Sequence, residues 1–235
     1  MSPPLLLLRS QMARVQARTW LWAFAVALAA ELAAVALGLD SVRWASKTLL
    51  TLLLLGYLIV SVAPGQTAAR LFGTGLLAAC AADAALLVEG TTAFLIGMGL
   101  FGIMQLLYIA AFLKLGALRA FGGRYLVPVV YLAFWAGLVA ALWTRLGPLA
   151  APVAVYSLLL VTMAALAAGL GTGRSAGHLA AVGGALFVVS DLVLGLGVAG
   201  FDLPGAGLAV MSTYAIAQLL LTVGIRRHLH SPAGH

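Results

Sequence analysis

LFGTGLLAACAADAALLV, residues 71–88, is an apolar run broken by a single ionisable side chain, Asp83. Its length and composition suit a helix crossing hydrocarbon, which takes about 20 mostly apolar residues. A carboxylate at that depth is costly unless it is paired, hydrated or protonated, so it is retained mainly where something uses it. Asp83 is therefore the first functional candidate. A second stretch, 178–198, repeats the arrangement with Ser190-Asp191 near its middle. Two matched acids carry more weight than one.

The rest of the chain has the same character. It is 64% hydrophobic and 8% charged, with a mean hydropathy of +1.13, values that a soluble domain of 235 residues could reach only by exposing large apolar patches. Eight apolar runs separated by short Gly, Pro or charged breaks predict an all-α membrane protein, a bundle of eight transmembrane helices. The formal charge of +7 is spread over loops and ends rather than gathered into a stripe with aromatics, which excludes a nucleic-acid partner. Arg9, Arg14, Arg18, Arg70, Lys114, Arg119, Arg124, Arg174, Arg226 and Arg227 fall at the chain ends or in the even-numbered connections, and only Arg43 and Arg145 in the odd-numbered ones. This bias puts both termini in the cytoplasm. Cys80 is the single cysteine, so neither a disulfide framework nor a thiolate metal cage is available.

The expected spans are residues 19–38, 42–63, 71–90, 92–113, 125–143, 149–170, 178–198 and 205–225. They form one transmembrane domain, 19–225, between a basic cytoplasmic segment, 1–18, and a cytoplasmic tail, 226–235. The first span opens with Trp20 and Trp22 at the interface and contains Glu31. The second carries Lys47 one turn from its outer end, where the side chain can snorkel outward or reach inward. The fourth holds Gln105 and Tyr108 on one face, and the eighth holds Tyr214 and Gln218. The fifth and sixth contain no charged residue and read mainly as walls. His178, near a helix start, and His228, His230 and His235 in the tail show no metal-binding pattern. A weak internal repeat relates the third and fourth spans to the seventh and eighth, through their Asp83 and Ser190-Asp191 stretches and the Gln-Leu-Leu at Gln105 and Gln218. Two such four-helix units would be parallel repeats, related by an axis along the membrane normal.

Counting ~1.5 Å per residue from the cytoplasmic starts places Glu31, Asp83 and Asp191 at nearly one level. Lys47 approaches that level from outside, and Gln105, Tyr214 and Gln218 from just beneath. Three carboxyls, an ammonium and several neutral donors at one depth make a polar pocket in an otherwise apolar bundle. No nucleophile elbow, metal-binding His pair or phosphate-binding Gly loop is present. The chemistry on offer is acid–base chemistry by carboxyls, with no metal and no cofactor.

Lys47 early in the second span, Asp83 late in the third, the Phe101-x-x-x-Gln105-x-x-Tyr108-x-x-x-Phe112 run, Ser190-Asp191 and Tyr214-x-x-x-Gln218 together resemble the YhhN-like lysoplasmalogenase family. The likeness extends over about residues 44–224. It departs from the family pattern at Lys47-Thr48, where Lys-Pro is usual, at Ala82-Asp83 for Gly-Asp, and at Gln105 for a His. Gln exchanges no proton at neutral pH, which leaves proton transfer to the carboxyls.

The resemblance implies cleavage of the vinyl ether bond of a lysoplasmalogen to a fatty aldehyde and a glycerophospho-alcohol. A vinyl ether is hydrolysed by protonation of its β-carbon and attack of water on the resulting oxocarbenium ion, a task two carboxyls divide as they do in glycosidases. Asp83 and Asp191 are the expected catalytic pair. Lys47, Gln105, Tyr108, Ser190, Tyr214, Gln218 and Glu31 are the expected substrate-binding set, with Lys47 drawing the substrate phosphate. The partners are then the lysophospholipid and membrane lipids, and the location a bacterial plasma membrane, as an integral multi-pass protein. Two other readings stay open: a proton-coupled transporter, which embedded acids also suit, and a lipid-binding member that lost catalysis with the His.

Overall fold

The computed structural model describes residues 3–122, 125–171 and 175–230, with side chains from residue 15 onward and again from 177 onward after the second break. Arg124, Arg174 and His235, named above, lie outside the described residues. Within them every regular element is helical: α1 (Pro3–Leu37), α2 (Asp40–Ser61), α3 (Thr67–Ala85), α4 (Thr91–Lys114), the one-turn α5 (Ala117–Ala120), α6 (Leu126–Leu146), α7 (Ala150–Gly171), α8 (Ser175–Val198) and α9 (Ala206–His230).

Helical backbone satisfies its own hydrogen bonds, the condition for crossing hydrocarbon. Seven stretches are long and apolar enough to do so by length and composition. One of them, Leu126–Gly171, runs for 46 residues and is divided by the 3-10 turn Gly147–Leu149 into α6 and α7. The turn is possible because Gly147 takes a φ of +53°, which residues with a Cβ rarely adopt, and because Pro148 cannot donate to the preceding turn. The chain is a multi-pass membrane protein.

The expected boundaries differ from the observed ones chiefly at the two ends. α1 begins at Pro3 rather than near residue 19, because nothing between residues 5 and 37 is Gly or Pro. α9 continues to His230, again with no proline to stop it. α3 stops at Ala85, and turns carry the chain to Gly90, whose φ is +109°.

α1 to α4 pack in sequence, as do α6 to α9, α4 lies against α7, and α9 closes the bundle against α1 and α2. Small residues set the closest approaches, as expected where helix association rests on packing rather than on a hydrophobic drive. A Cβ on Gly183 of α8 would stand 2.9 Å from the carbonyl of Ala217 in α9, and one on Gly224 of α9 would stand 2.7 Å from the Ala180 amide. These contacts press α9 onto α8. Two aromatic clusters fill the centre: Phe72 stacked on Tyr108 with centroids 3.9 Å apart, and Phe101, Phe187 and Tyr214 meeting edge to face at 5.5–6.3 Å.

Candidate active site

Asp83 is 1% exposed and has two partners from other helices. The Tyr214 hydroxyl of α9 donates to its Oδ2 at 2.7 Å, and the Lys47 ammonium of α2 stands 3.6 Å from Oδ1. Of the two directions open to Lys47, the structure takes the inward one. With 7% exposure, the ammonium is turned to Asp83 rather than to an open rim, since a buried carboxylate without a cation is far costlier than a bent lysine stem.

Behind Tyr214 the polar chain continues. Tyr108 donates to Gln218 Oε1 at 2.8 Å, and Gln218 Nε2 reaches the Tyr214 oxygen at 3.5 Å and Met104 Sδ at 3.3 Å. Gln218 thus ties α4 to α9 and backs the Tyr214–Asp83 bond. The stack of Tyr108 on Phe72 holds this end of the chain rigid.

Asp191 lies apart from that network. Its Oδ2 accepts a hydrogen bond from the Tyr156 hydroxyl of α7, and none of the ion pairs among the described residues includes it. It is half-buried on the wall of a cleft between α4, α6, α7 and α8, whose other lining is almost wholly apolar: Met98, Phe101, Phe134, Leu138, Val188 and Leu194 among others. Trp135 in the same wall is fixed by donation to Ser157 Oγ and the Ala154 carbonyl, both at 3.1 Å. Asp83 is not among the lining residues. Phe101 connects the two acids, because it lines the cleft and packs its ring on Tyr214 at 5.7 Å.

Gln105 of α4 lies beside the second tyrosine–aspartate pair, that of Tyr156 and Asp191. Its face also carries Tyr108, and its amide lies against the Tyr156 hydroxyl. It is completely buried, yet neither Oε1 nor Nε2 has a hydrogen-bond partner. An orphaned buried amide costs about 1–3 kcal/mol, so a group in this state in a packed interior calls for an explanation.

The remaining expected site residues are engaged elsewhere. Glu31, also completely buried, accepts from Ser46 Oγ at 2.6 Å and from Arg43 Nε at 3.3 Å, and Arg43 also faces Asp40 at 3.6 Å. Both Glu31 oxygens are therefore taken up within the α1–α2 hairpin. Ser190 donates to the Val210 carbonyl at 3.1 Å, a tie between α8 and α9. Among the described residues, no three His, Cys, Asp or Glu side chains are grouped so as to hold a metal ion.

Reading the charge-free helices as walls overlooks Tyr156, which supplies the only hydrogen bond to Asp191 among those the described residues make. A tyrosine in an apolar span must find a partner for its hydroxyl. That was its one signal in the sequence. Ser46 carries no signal of its own, since hydroxyls are common near helix ends, and Arg43, counted above for topology, is one of many loop arginines with nothing in the sequence to mark Glu31 as its partner.

The rat protein named lysoplasmalogenase TMEM86B is 38% identical over 172 residues, covering 71% of this chain and 66% of the relative, just under two thirds of its length. The human protein of that name is 35% identical over 197 residues, 80% of this chain and 78% of the relative. A Mycobacterium tuberculosis protein named lysoplasmalogenase is 34% identical over 139 residues, 57% of this chain and 51% of the relative. No solved structure matches the chain. The YhhN family model matches residues 42–225, a span that contains both tyrosine–aspartate pairs, Lys47 and Gln105, and the chain belongs to the YhhN family.

Proposed function

We propose that this protein is a membrane-embedded hydrolase that cleaves the vinyl ether bond of lysoplasmalogens. The names of its relatives support the substrate class. The observation that carries the mechanism is the contrast between its two embedded acids: Asp83 faces an ammonium, whereas Asp191 faces an apolar cleft with only a tyrosine hydroxyl beside it.

That contrast divides the roles. Asp191, without a cation, serves as the proton donor through Oδ1, the oxygen that Tyr156 leaves free. The alkenyl chain lies in the cleft with its β-carbon toward Asp191. The π electrons take the proton to form a C–H bond, and the positive charge passes to the ether oxygen and its attached carbon. Asp83, paired with Lys47 and not part of the cleft wall, balances that charge, and the Asp191 carboxylate, having given its proton, accepts one from the water that attacks the carbon. The hemiacetal then collapses: Asp191 passes the proton it took from water to the glycerol oxygen as the C–O bond to glycerol breaks, the hydroxyl left on the carbon gives its hydrogen to Asp191 as the C=O bond forms, and aldehyde and glycerophospho-alcohol leave. Asp191 regains the proton it gave, so the cycle consumes one water and no other reagent. Lys47 acts here by holding Asp83, and Glu31 and Ser190 by bracing helices.

The eight-crossing topology with both ends cytoplasmic rests on the break at Gly147 and on the arginine bias. The parallel-repeat reading rests on the matched positions of Asp83 and Asp191.

The test is purified protein in detergent with a lysoplasmalogen, assayed for free aldehyde. Aldehyde release that is lost in both Asp83→Asn and Asp191→Asn is the expected result. Absence of aldehyde, together with proton-dependent uptake in liposomes, overturns the reading in favour of transport.

A further inference from the structure

Gln105 is the one fully buried side chain in this region whose polar atoms are both unused. An amide offers an acceptor and a donor at once, and the group that complements both is a hydroxyl. Its neighbour Tyr156 can offer only its oxygen, toward Nε2, since the hydroxyl hydrogen is committed to Asp191, and Oε1 is left with no donor. Gln105 and Asp191 therefore flank one tyrosine oxygen; Tyr156 and Asp191 line the cleft, and Gln105 stands directly behind Tyr156, outside the lining.

In a lysoplasmalogen the free hydroxyl on the central glycerol carbon lies only a few bonds from the vinyl carbon to be protonated. The separation suits two groups that share Tyr156. We propose that Gln105 is a specificity-determining residue that binds this hydroxyl, its Oε1 accepting the hydroxyl hydrogen and its Nε2 donating to the oxygen. The inference rests on the hydrolase reading above and goes beyond it, because it names what separates the lyso lipid from its doubly chained parent. An acylated central oxygen has no hydrogen to give Oε1 and brings a second chain into a fully enclosed position.

The experiment is a cycle of two enzymes and two substrates. Wild-type protein and Gln105→Leu are each assayed for aldehyde release from a lysoplasmalogen and from the analogue with hydrogen in place of the central hydroxyl. Wild type is expected to lose about 10- to 100-fold in kcat/KM on the deoxy analogue, the scale on which a site that hydrogen-bonds a substrate hydroxyl begins to reject its absence. Gln105→Leu is expected to lose a similar factor on the natural substrate and to be indifferent to removal of the hydroxyl. Gln105→Asn, which keeps the amide on a shorter stem, is expected to fall between the two and guards against a folding defect in the leucine variant. If the variants discriminate between the two substrates as strongly as wild type, Gln105 does not read the hydroxyl and the inference is overturned while the hydrolase reading stands. If wild type releases no aldehyde from either lipid, the hydrolase reading itself fails and the inference falls with it.

Discussion

Lys47 Nζ stands 3.6 Å from Asp83 Oδ1, with both side chains almost wholly withdrawn from the surface, at 8% and 1% exposure. A pair so placed is costly to break from one side, because the survivor is left as an uncompensated buried charge. Lys47→Met alone is expected to destabilise the protein by about 3 kcal/mol or more. The double variant Lys47→Met with Asp83→Asn is expected to recover part of that loss, seen as a higher melting temperature in detergent than the single variant shows. Equal melting temperatures would mean that the two groups are not energetically coupled.

Asp191 is held by one hydroxyl and faces the cleft, so Asp191→Asn can keep the Tyr156 contact while losing the transferable proton. Aldehyde release is expected to fall by about 10²–10⁴-fold, the usual contribution of a positioned general acid. The melting temperature should stay within a few degrees of wild type. Substantial residual activity would remove Asp191 from the mechanism.

The two tyrosines test the same division of labour. Tyr156→Phe removes the only hydrogen bond to Asp191 among those the described residues make, and Tyr214→Phe removes one of the two partners of Asp83. Each is expected to lower kcat by about tenfold or more, matching a lost hydrogen bond to a charged or reacting group of about 1.5–3 kcal/mol. Tyr214→Phe should also lower stability more, since its hydroxyl belongs to the buried chain through Gln218 and Tyr108.

The cleft can be obstructed without touching the acids. Leu194 lines it and is 37% exposed, so Leu194→Trp can be accommodated at the rim. With a long-chain substrate, kcat/KM is expected to fall by about tenfold, the scale on which apolar pockets discriminate size. A short-chain analogue should lose less. Equal losses on both chains would argue that the chain binds elsewhere.

Close helix packing gives a prediction that is purely structural. A Cβ at Gly224 meets the Ala180 backbone at 2.7 Å, and neither helix can yield without shifting the other. Gly224→Val is expected to destabilise by about 1–3 kcal/mol or more through overpacking. Gly99→Ala, at a site where a Cβ meets nothing within 4 Å, serves as the control in the same melting assay.

From the sequence alone, the all-helical membrane class and most helix positions were legible, and Asp83, Asp191, Lys47 and Gln105 stood out as polar residues inside apolar runs. The reason is that hydrocarbon permits only backbone that bonds within itself, so apolar runs near 20 residues read as helices. Each polar residue inside such a run also stands out as an exception with a cost. Which of those exceptions meet was decided only by how the helices rotate and how closely they pack. Glu31 and Asp83 lie at matching counts along their expected spans, yet Glu31 is turned to Ser46 and Arg43 while Asp83 is turned to Lys47 and Tyr214. Tyr156, from a helix with no charge at all, became the partner of Asp191. Rotations of this kind follow from side-chain volumes at contacts such as Gly183–Ala217 and Gly224–Ala180, between residues far apart in the chain whose fit no local pattern encodes.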